Sequence, residues 1–144
     1  MAATDDFEQV LEPYHLALGD IIKGNPESYQ KMFSHRDDVT LANPFGGVAR
    51  GWEQVAETLE RAASNFRDGE VTSFENMAKY VTPDLAYIVE VERYKAKVGK
   101  REDVTPVALR VTSIFRREDG VWKVAHRHAD PVTSVRPAES LIQK

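Results

Sequence analysis

The chain has 144 residues and carries 23 acidic against 19 basic side chains, which gives a formal charge of −4. This length is typical of one domain, so we expect a single domain over residues 1–144, with an ordered core at about 5–132 and a C-terminal tail at 133–144. The absence of cysteine excludes disulfides, thiolate metal sites and a catalytic thiol, and it fits a reducing, cytoplasmic location. The mildly acidic balance argues against a nucleic-acid partner, and no apolar stretch reaches the roughly 18 residues that a membrane span requires.

The first half of the chain has the pattern of helices around one short hairpin. Apolar residues recur at three- and four-residue steps from Phe7 to Ile22, which predicts a first helix with a kink or a break near Pro13. A turn cluster at 43–47 separates two short runs that are typical of strands. The remaining elements predicted in this half are two helices, at 27–33 and 52–66, and two short strands, at 39–42 and 48–50.

From Gly69 onward the pattern changes to the period-two alternation of strands. Four strands are predicted, at 71–81, 85–98, 104–118 and 121–130. The Asp119-Gly120 pair is the strongest turn signal in the chain and predicts a tight hairpin between the last two. Helices followed by long antiparallel strands indicate an α+β fold.

The last hairpin allows its side chains to be assigned to a sheet face. A two-residue loop at 119–120 places His126 opposite Ser113 and directs both His126 and His128 to the apolar, core-facing side. Arg127 then belongs to the outer face, together with Arg110.

The strand at 85–98 offers two alternating sets of side chains. The more apolar set includes Tyr87 and ends in Arg93, and we place it inward with Arg93 near the rim. A slip of one residue would instead bury Glu90 and Glu92.

Two segments resemble a known family. Residues 116–128, Arg-Arg-Glu-Asp-Gly-Val-Trp-Lys-Val-Ala-His-Arg-His, are similar to the last hairpin of SnoaL-like proteins, and 43–47 leading into 50–53 resembles their early hairpin and third helix. The resemblance covers roughly residues 5–130. It implies the nuclear transport factor 2-like (cystatin-like) fold, in which N-terminal helices pack on a strongly curved, mostly antiparallel sheet that forms a cone with an internal pocket.

The resemblance leaves the activity open. The family includes ketosteroid isomerase, scytalone dehydratase, polyketide cyclases, limonene epoxide hydrolase and many non-catalytic binding modules, so the fold does not determine the function. Members often pair through the outer face of the sheet, which implies a homodimer for this chain.

His126 and His128 are the sharpest chemical feature of the sequence. Two imidazoles on one strand face can supply a general base, and Arg93 could stabilise negative charge on an enolate or a carboxylate. These three residues are the predicted catalytic group, and the alternative is a pair of core histidines bonded to the backbone or to Ser113. Asp130 continues the same face, but the span from His126 to Asp130 is about 13 Å, too long to converge on one ion. We therefore predict no metal and no cofactor.

Ligand-binding residues are predicted from aromatic and polar side chains that could line a cavity, although each also fits a plain core role. They are Tyr14, Asn43, Phe45, Trp52, Tyr87 and Ser113. The leading hypothesis is a small-molecule-binding protein. If it is an enzyme, we expect a cofactor-free isomerase, dehydratase, hydrolase or cyclase that acts on a small, mainly apolar substrate. The alternative is a non-catalytic association or ligand-sensing module that dimerises through the sheet.

Overall fold

Three helices and six strands form the fold in the computed structural model, which describes residues 3–143 and side chains from residue 6 onward. The helices are α1 (Ala3–Ile21), α2 (Glu27–Met32) and α3 (Trp52–Ser64), and the strands are β1 (Thr40–Ala42), β2 (Ala49–Arg50), β3 (Phe66–Val81), β4 (Leu85–Val98), β5 (Thr105–Glu118) and β6 (Val121–Asp130). A short 3-10 turn, Ala138–Leu141, lies in the tail. None of the helices in this described part is long and apolar enough to cross a bilayer.

The six strands form one open sheet in the order β2-β1-β6-β5-β4-β3. β1 runs parallel to β6, and the other neighbouring strands are antiparallel. The predicted α+β class, with helices packed on a mostly antiparallel sheet, is confirmed. The predicted break in the first helix is wrong, because α1 continues through Pro13.

β3 approaches α1 closely at Gly69. A side-chain Cβ at this position would lie 2.3 Å from the backbone oxygen of Ile22, so only glycine fits without a shift of the backbone. The preceding residue, Asp68, has a φ of +53°, and the β3–β4 register is irregular between Arg67 and Glu70. This kink seats the end of α1 against the sheet.

A β-bulge in β6 changes the predicted face assignment. Phe115 pairs with Val124 as predicted, but the next pair is Ile114 with His126, so Ala125 has no opposite residue. Because side chains alternate along a strand, one extra residue reverses the faces of everything beyond it.

The inward placement of the two histidines is therefore wrong. Arg127 pairs with Ser113 and points inward, where it is buried, whereas His126 and His128 lie on the outer face. The assignment of Arg127 to the outer face is wrong for the same reason.

The prediction for β4 also had its faces reversed. Glu90 and Glu92 are buried, while Tyr87 and Arg93 are exposed on the outer face. Apolarity was a misleading criterion here, because the two inward carboxylates are paired with basic side chains from other elements.

Candidate functional site

A buried ion pair crosses the interior between β4 and β6. Arg127 donates from Nη1 and Nη2 to the two carboxylate oxygens of Glu92, at 2.9 Å each. The two residues are only 6% and 2% exposed. Burial opposes the charged form of Arg127, but the adjacent Glu92 carboxylate outweighs that penalty and raises the pKa of Arg127 well above its ordinary value. Arg127 is therefore held in its charged form inside the sheet.

Three hydroxyl groups extend this pair. Arg127 Nη1 also donates to the Tyr14 hydroxyl at 3.1 Å. That hydroxyl lies 2.6 Å from Ser113 Oγ and 3.1 Å from the Tyr29 hydroxyl, so its own proton can go to either oxygen. Burial raises the pKa of Tyr14 and of Tyr29, which keeps both phenols neutral.

An apolar cavity of about 60 Å³ adjoins the ion pair. Its apolar wall is formed by side chains of α1, α3, β3 and β5, namely Leu18, Ile21, Ile22, Leu59, Ala62, Phe66 and Leu109. At its polar end are Glu92, Arg127 and the ring of Tyr94. The mouth is bordered by the loop residues Asn43, Pro44 and Phe45 on one side and by Val71 and Phe74 on the other.

A second buried carboxylate, Glu90, is paired with His15 of α1. His15 Nε2 lies 2.9 Å from both oxygens of Glu90, and the imidazole stacks on Phe74 with ring centroids 3.8 Å apart. Since a carboxylate accepts hydrogen bonds, Nε2 is the ring nitrogen that donates to Glu90. Val71 and Phe74 border both the cavity and the surface groove that contains His15. His15 thus lies in a surface groove that shares two lining residues with the cavity.

The structure brings four of the predicted ligand-binding residues to this region. Tyr14 and Ser113 belong to the hydroxyl network, and Asn43 and Phe45 border the cavity mouth.

The other two predicted ligand-binding residues lie elsewhere. Trp52 stacks on His35, with ring centroids 3.7 Å apart, and Tyr87 packs against Tyr80 on the outer face of the sheet. Neither borders the cavity.

The three predicted catalytic residues are on the opposite side of the sheet from the cavity. His126 Nδ1 lies 2.7 Å from Thr40 Oγ1, and His128 Nε2 lies 2.9 Å from Asp130. Arg93 forms an exposed ion pair with Glu75 at 3.7 Å. The catalytic role of this group stays a prediction, and it would require a site on the outer face. Within residues 6–143, no three histidine, aspartate or glutamate side chains come together in a way that could hold a metal ion.

Sequence reasoning missed His15 and Arg127 as interior basic residues, and it gave the burial of Glu90 and Glu92 only as the alternative to its face assignment. The bulge at Ala125 has no sequence signal of its own. A usable signal was the pair of glutamates two residues apart on a strand, because two carboxylates on one face need basic partners if that face is buried.

A family model for the SnoaL-like domain matches residues 8–133. The chain belongs to this family. The predicted resemblance is confirmed, and the match takes in α2, α3 and all six strands. No curated protein matches the chain.

Several solved structures share the fold. A nuclear transport factor 2-like superfamily protein from Salmonella enterica serovar Typhimurium LT2 has a TM-score of 0.79 at 17% identity, over 96% of this chain and 99% of that one. A proposed dehydratase of the same fold family from Streptomyces avermitilis has a TM-score of 0.74 at 21% identity, over 91% and 98%. A ketosteroid isomerase-like protein from Erwinia carotovora atroseptica SCRI1043 has a TM-score of 0.68 at 17% identity, over 90% and 96%. At such identities the likeness shows the fold alone.

Proposed function

We propose that this SnoaL-like protein binds a small, mainly apolar molecule inside the cone, with the polar group of the molecule at the end formed by Arg127, Glu92 and Tyr94. The observation that carries the proposal is the buried ion pair beside an apolar cavity. A buried pair contributes little net stability, because desolvation of the two charges offsets their attraction, and an apolar pair of similar volume would do as well. The interior charges are better explained by recognition of a ligand.

The chemistry that suits this interior is cofactor-free proton transfer, as in an isomerase, dehydratase, hydrolase or cyclase. The His15–Glu90 dyad offers a basic nitrogen held in position by a buried carboxylate. Neutral phenols such as Tyr94 offer hydrogen-bond donors to an oxygen that gains negative charge. The proposed dehydratase and the ketosteroid isomerase-like protein among the similar folds support this class of reaction.

The size of the cavity limits the ligand. A volume of about 60 Å³ holds a few water molecules, since one water requires roughly 10–15 Å³ on this scale. Phe45 covers the mouth; its ring centroid lies 6.0 Å from that of Phe66, and 54% of its surface is exposed. A ligand the size of a benzene derivative therefore requires Phe45 to move outward.

A matched pair of substitutions on α3 tests whether the cavity is the binding site. Ala62 lines the cavity, whereas Ala56, also half-buried on α3, does not. Titration calorimetry with acetophenone, benzamide and cyclohexanone should show binding to the wild-type protein and to Ala56→Leu. In Ala62→Leu, which fills the cavity, affinity should fall at least about tenfold, the equivalent of roughly 1.4 kcal/mol. Absence of binding by the wild-type protein, or equal binding by Ala62→Leu, would contradict the proposal.

The outer face of the sheet supports a second proposal, that the protein forms a homodimer through this face. Such a dimer is also what a non-catalytic association module would form. Tyr80, Leu85 and Tyr87 are 58%, 50% and 39% exposed there, with the two tyrosine rings stacked 5.8 Å apart. Exposed apolar groups that lie side by side are typical of protein interfaces. Tyr87→Arg should convert a dimer to a monomer in light scattering, whereas Val48→Arg, at a more exposed loop residue, should not. A monomeric wild-type protein would refute this second proposal.

A further inference from the structure

We infer that Glu92 makes the cavity selective for uncharged molecules, and that the polar group of the ligand is a carbonyl or a similar neutral acceptor bound by the Tyr94 hydroxyl. This inference rests on the proposed function and specifies the chemical class of ligand. It specifies that the polar group of the ligand is neutral rather than acidic.

The charges around the cavity cancel. Among the described residues that line it, Arg127 and Glu92 are the two charged ones, and they neutralise each other through two hydrogen bonds. Both Nη atoms of Arg127 already donate to Glu92, and Nη1 donates also to Tyr14. The nearby Glu90 is paired with His15, so this pair offers no unpaired cation to a ligand.

A carboxylate ligand would therefore enter an environment that cannot compensate its charge. It would have to separate Glu92 from Arg127, which leaves one buried carboxylate without a partner, or remain unpaired itself. In either arrangement the charged ligand binds at least several-fold more weakly than a neutral molecule of the same shape.

Tyr94 supplies the donor that a neutral acceptor needs. Its side chain lines the cavity and is 7% exposed, and its hydroxyl has no hydrogen-bond partner among the described residues. Burial, together with the neighbouring carboxylate of Glu92, raises the pKa of Tyr94, so the phenol keeps its proton. The hydroxyl oxygen is still accessible, since Trp122 Nε1 is the enclosed side-chain nitrogen or oxygen without a partner in the described part of the chain, and a carbonyl oxygen in the cavity would give the Tyr94 hydroxyl an acceptor.

The first experiment compares three probes with the same number of non-hydrogen atoms: acetophenone, benzamide and benzoate. Calorimetry should show that wild-type protein binds the two neutral probes at least about tenfold more tightly than benzoate, because a buried unpaired charge costs more than one hydrogen bond contributes. Tyr94→Phe should weaken acetophenone binding about three- to tenfold, and the control Tyr80→Phe, an exposed tyrosine of β3, should leave it unchanged. Equal affinity of the wild-type protein for benzoate and acetophenone would overturn the inference.

The second experiment changes the selectivity. Glu92→Gln keeps the shape of the side chain and frees the charge of Arg127, so benzoate should bind at least about tenfold more tightly than to wild type and should raise the melting temperature of this variant. Glu90→Gln, two residues along the same face, frees no arginine and should not reverse the preference. If Glu92→Gln folds only with an added ligand, refolding should succeed with benzoate and fail with acetophenone.

The outcomes separate the two proposals. An unchanged preference for neutral probes in Glu92→Gln overturns the charge-selection inference and leaves the binding function standing. Failure of all three probes to bind either wild type or Glu92→Gln overturns the binding function, and this inference falls with it.

Discussion

Arg127→Met is the sharpest test of the interior charge arrangement. Methionine approximates the length of the aliphatic part of arginine and leaves the Glu92 carboxylate, 2% exposed, without its two hydrogen bonds. Breaking a buried pair by removing one partner costs about 3–5 kcal/mol. The Tyr14 hydroxyl also loses a donor, but it keeps Ser113 and Tyr29 as neighbours, which limits that loss to about 1 kcal/mol. Against a total stability of about 5–15 kcal/mol, the variant should lose a fifth or more of its free energy of unfolding.

The double substitution Arg127→Met with Glu92→Leu separates the ion pair from simple packing. With both charges removed, the free energy of unfolding should return to within about 1–2 kcal/mol of wild type, whereas each single removal costs about 3–5 kcal/mol, so the two sites should show a coupling energy of about 4 kcal/mol or more. Urea unfolding followed by far-ultraviolet circular dichroism measures each corner of the cycle. The exposed pair of Arg93 and Glu75 is the control, and its cycle should give less than about 1 kcal/mol.

One result would refute this reasoning. If Arg127→Met loses less than about 1 kcal/mol and the double variant gains nothing over it, Glu92 does not depend on Arg127 for its charge. The interior would then tolerate a lone carboxylate, and the neutral cavity inferred from the pair would have no basis.

Further predictions concern the backbone and the outer face. Gly69→Ala should lower the free energy of unfolding by about 1–3 kcal/mol or more, because its Cβ would lie 2.3 Å from the Ile22 carbonyl oxygen. Gly19→Ala, a helical position with an ordinary contact at 3.9 Å, should raise it by about 0.5–1 kcal/mol, and urea midpoints compare the two. Hydrogen bonds from Arg110 lower the pKa of Asp130 from 3.8 to about 2, so the stabilisation from Asp130 is present above the unfolded value and is lost as the pH falls from 3.8 toward 2. Arg110→Met should raise the Asp130 pKa in a carbon-13 NMR titration, and an unmoved pKa would contradict this.

Much of the fold could be predicted because its signals are local. The strands at 85–98 and 121–130 have the predicted bounds, since alternation and the Asp119-Gly120 turn act within a few residues of each other. Helix positions followed in the same way from apolar spacing. The inward positions of Tyr14 and Ser113 were also predicted. Neither the apolar stripe of α1 nor the alternation along β5 contains an extra residue that a local pattern would miss.

The faces of β4 and of the end of β6 could not be predicted in this way. The bulge at Ala125 is a property of the pairing between two strands, and its sequence context contains neither glycine nor proline to mark it. Local apolarity also favoured the wrong set on β4, because a glutamate is expected to be exposed unless its partner is known. The partners of Glu90 and Glu92 come from α1 and β6, far along the chain.

The two wrong face assignments, on β4 and at the end of β6, have one structural cause. The inward side chains of each strand can be buried only because the other strand supplies their charge partner. Without the bulge, Arg127 would point outward and an inward Glu92 would be a buried carboxylate with no counterion. If β4 were turned over, an inward Arg127 would be a buried cation with no carboxylate within reach. Only the combination of a bulged β6 and inward glutamates lets both charges be buried. A one-residue irregularity at Ala125 therefore determines that the interior of this cone holds a neutralised arginine rather than two histidines.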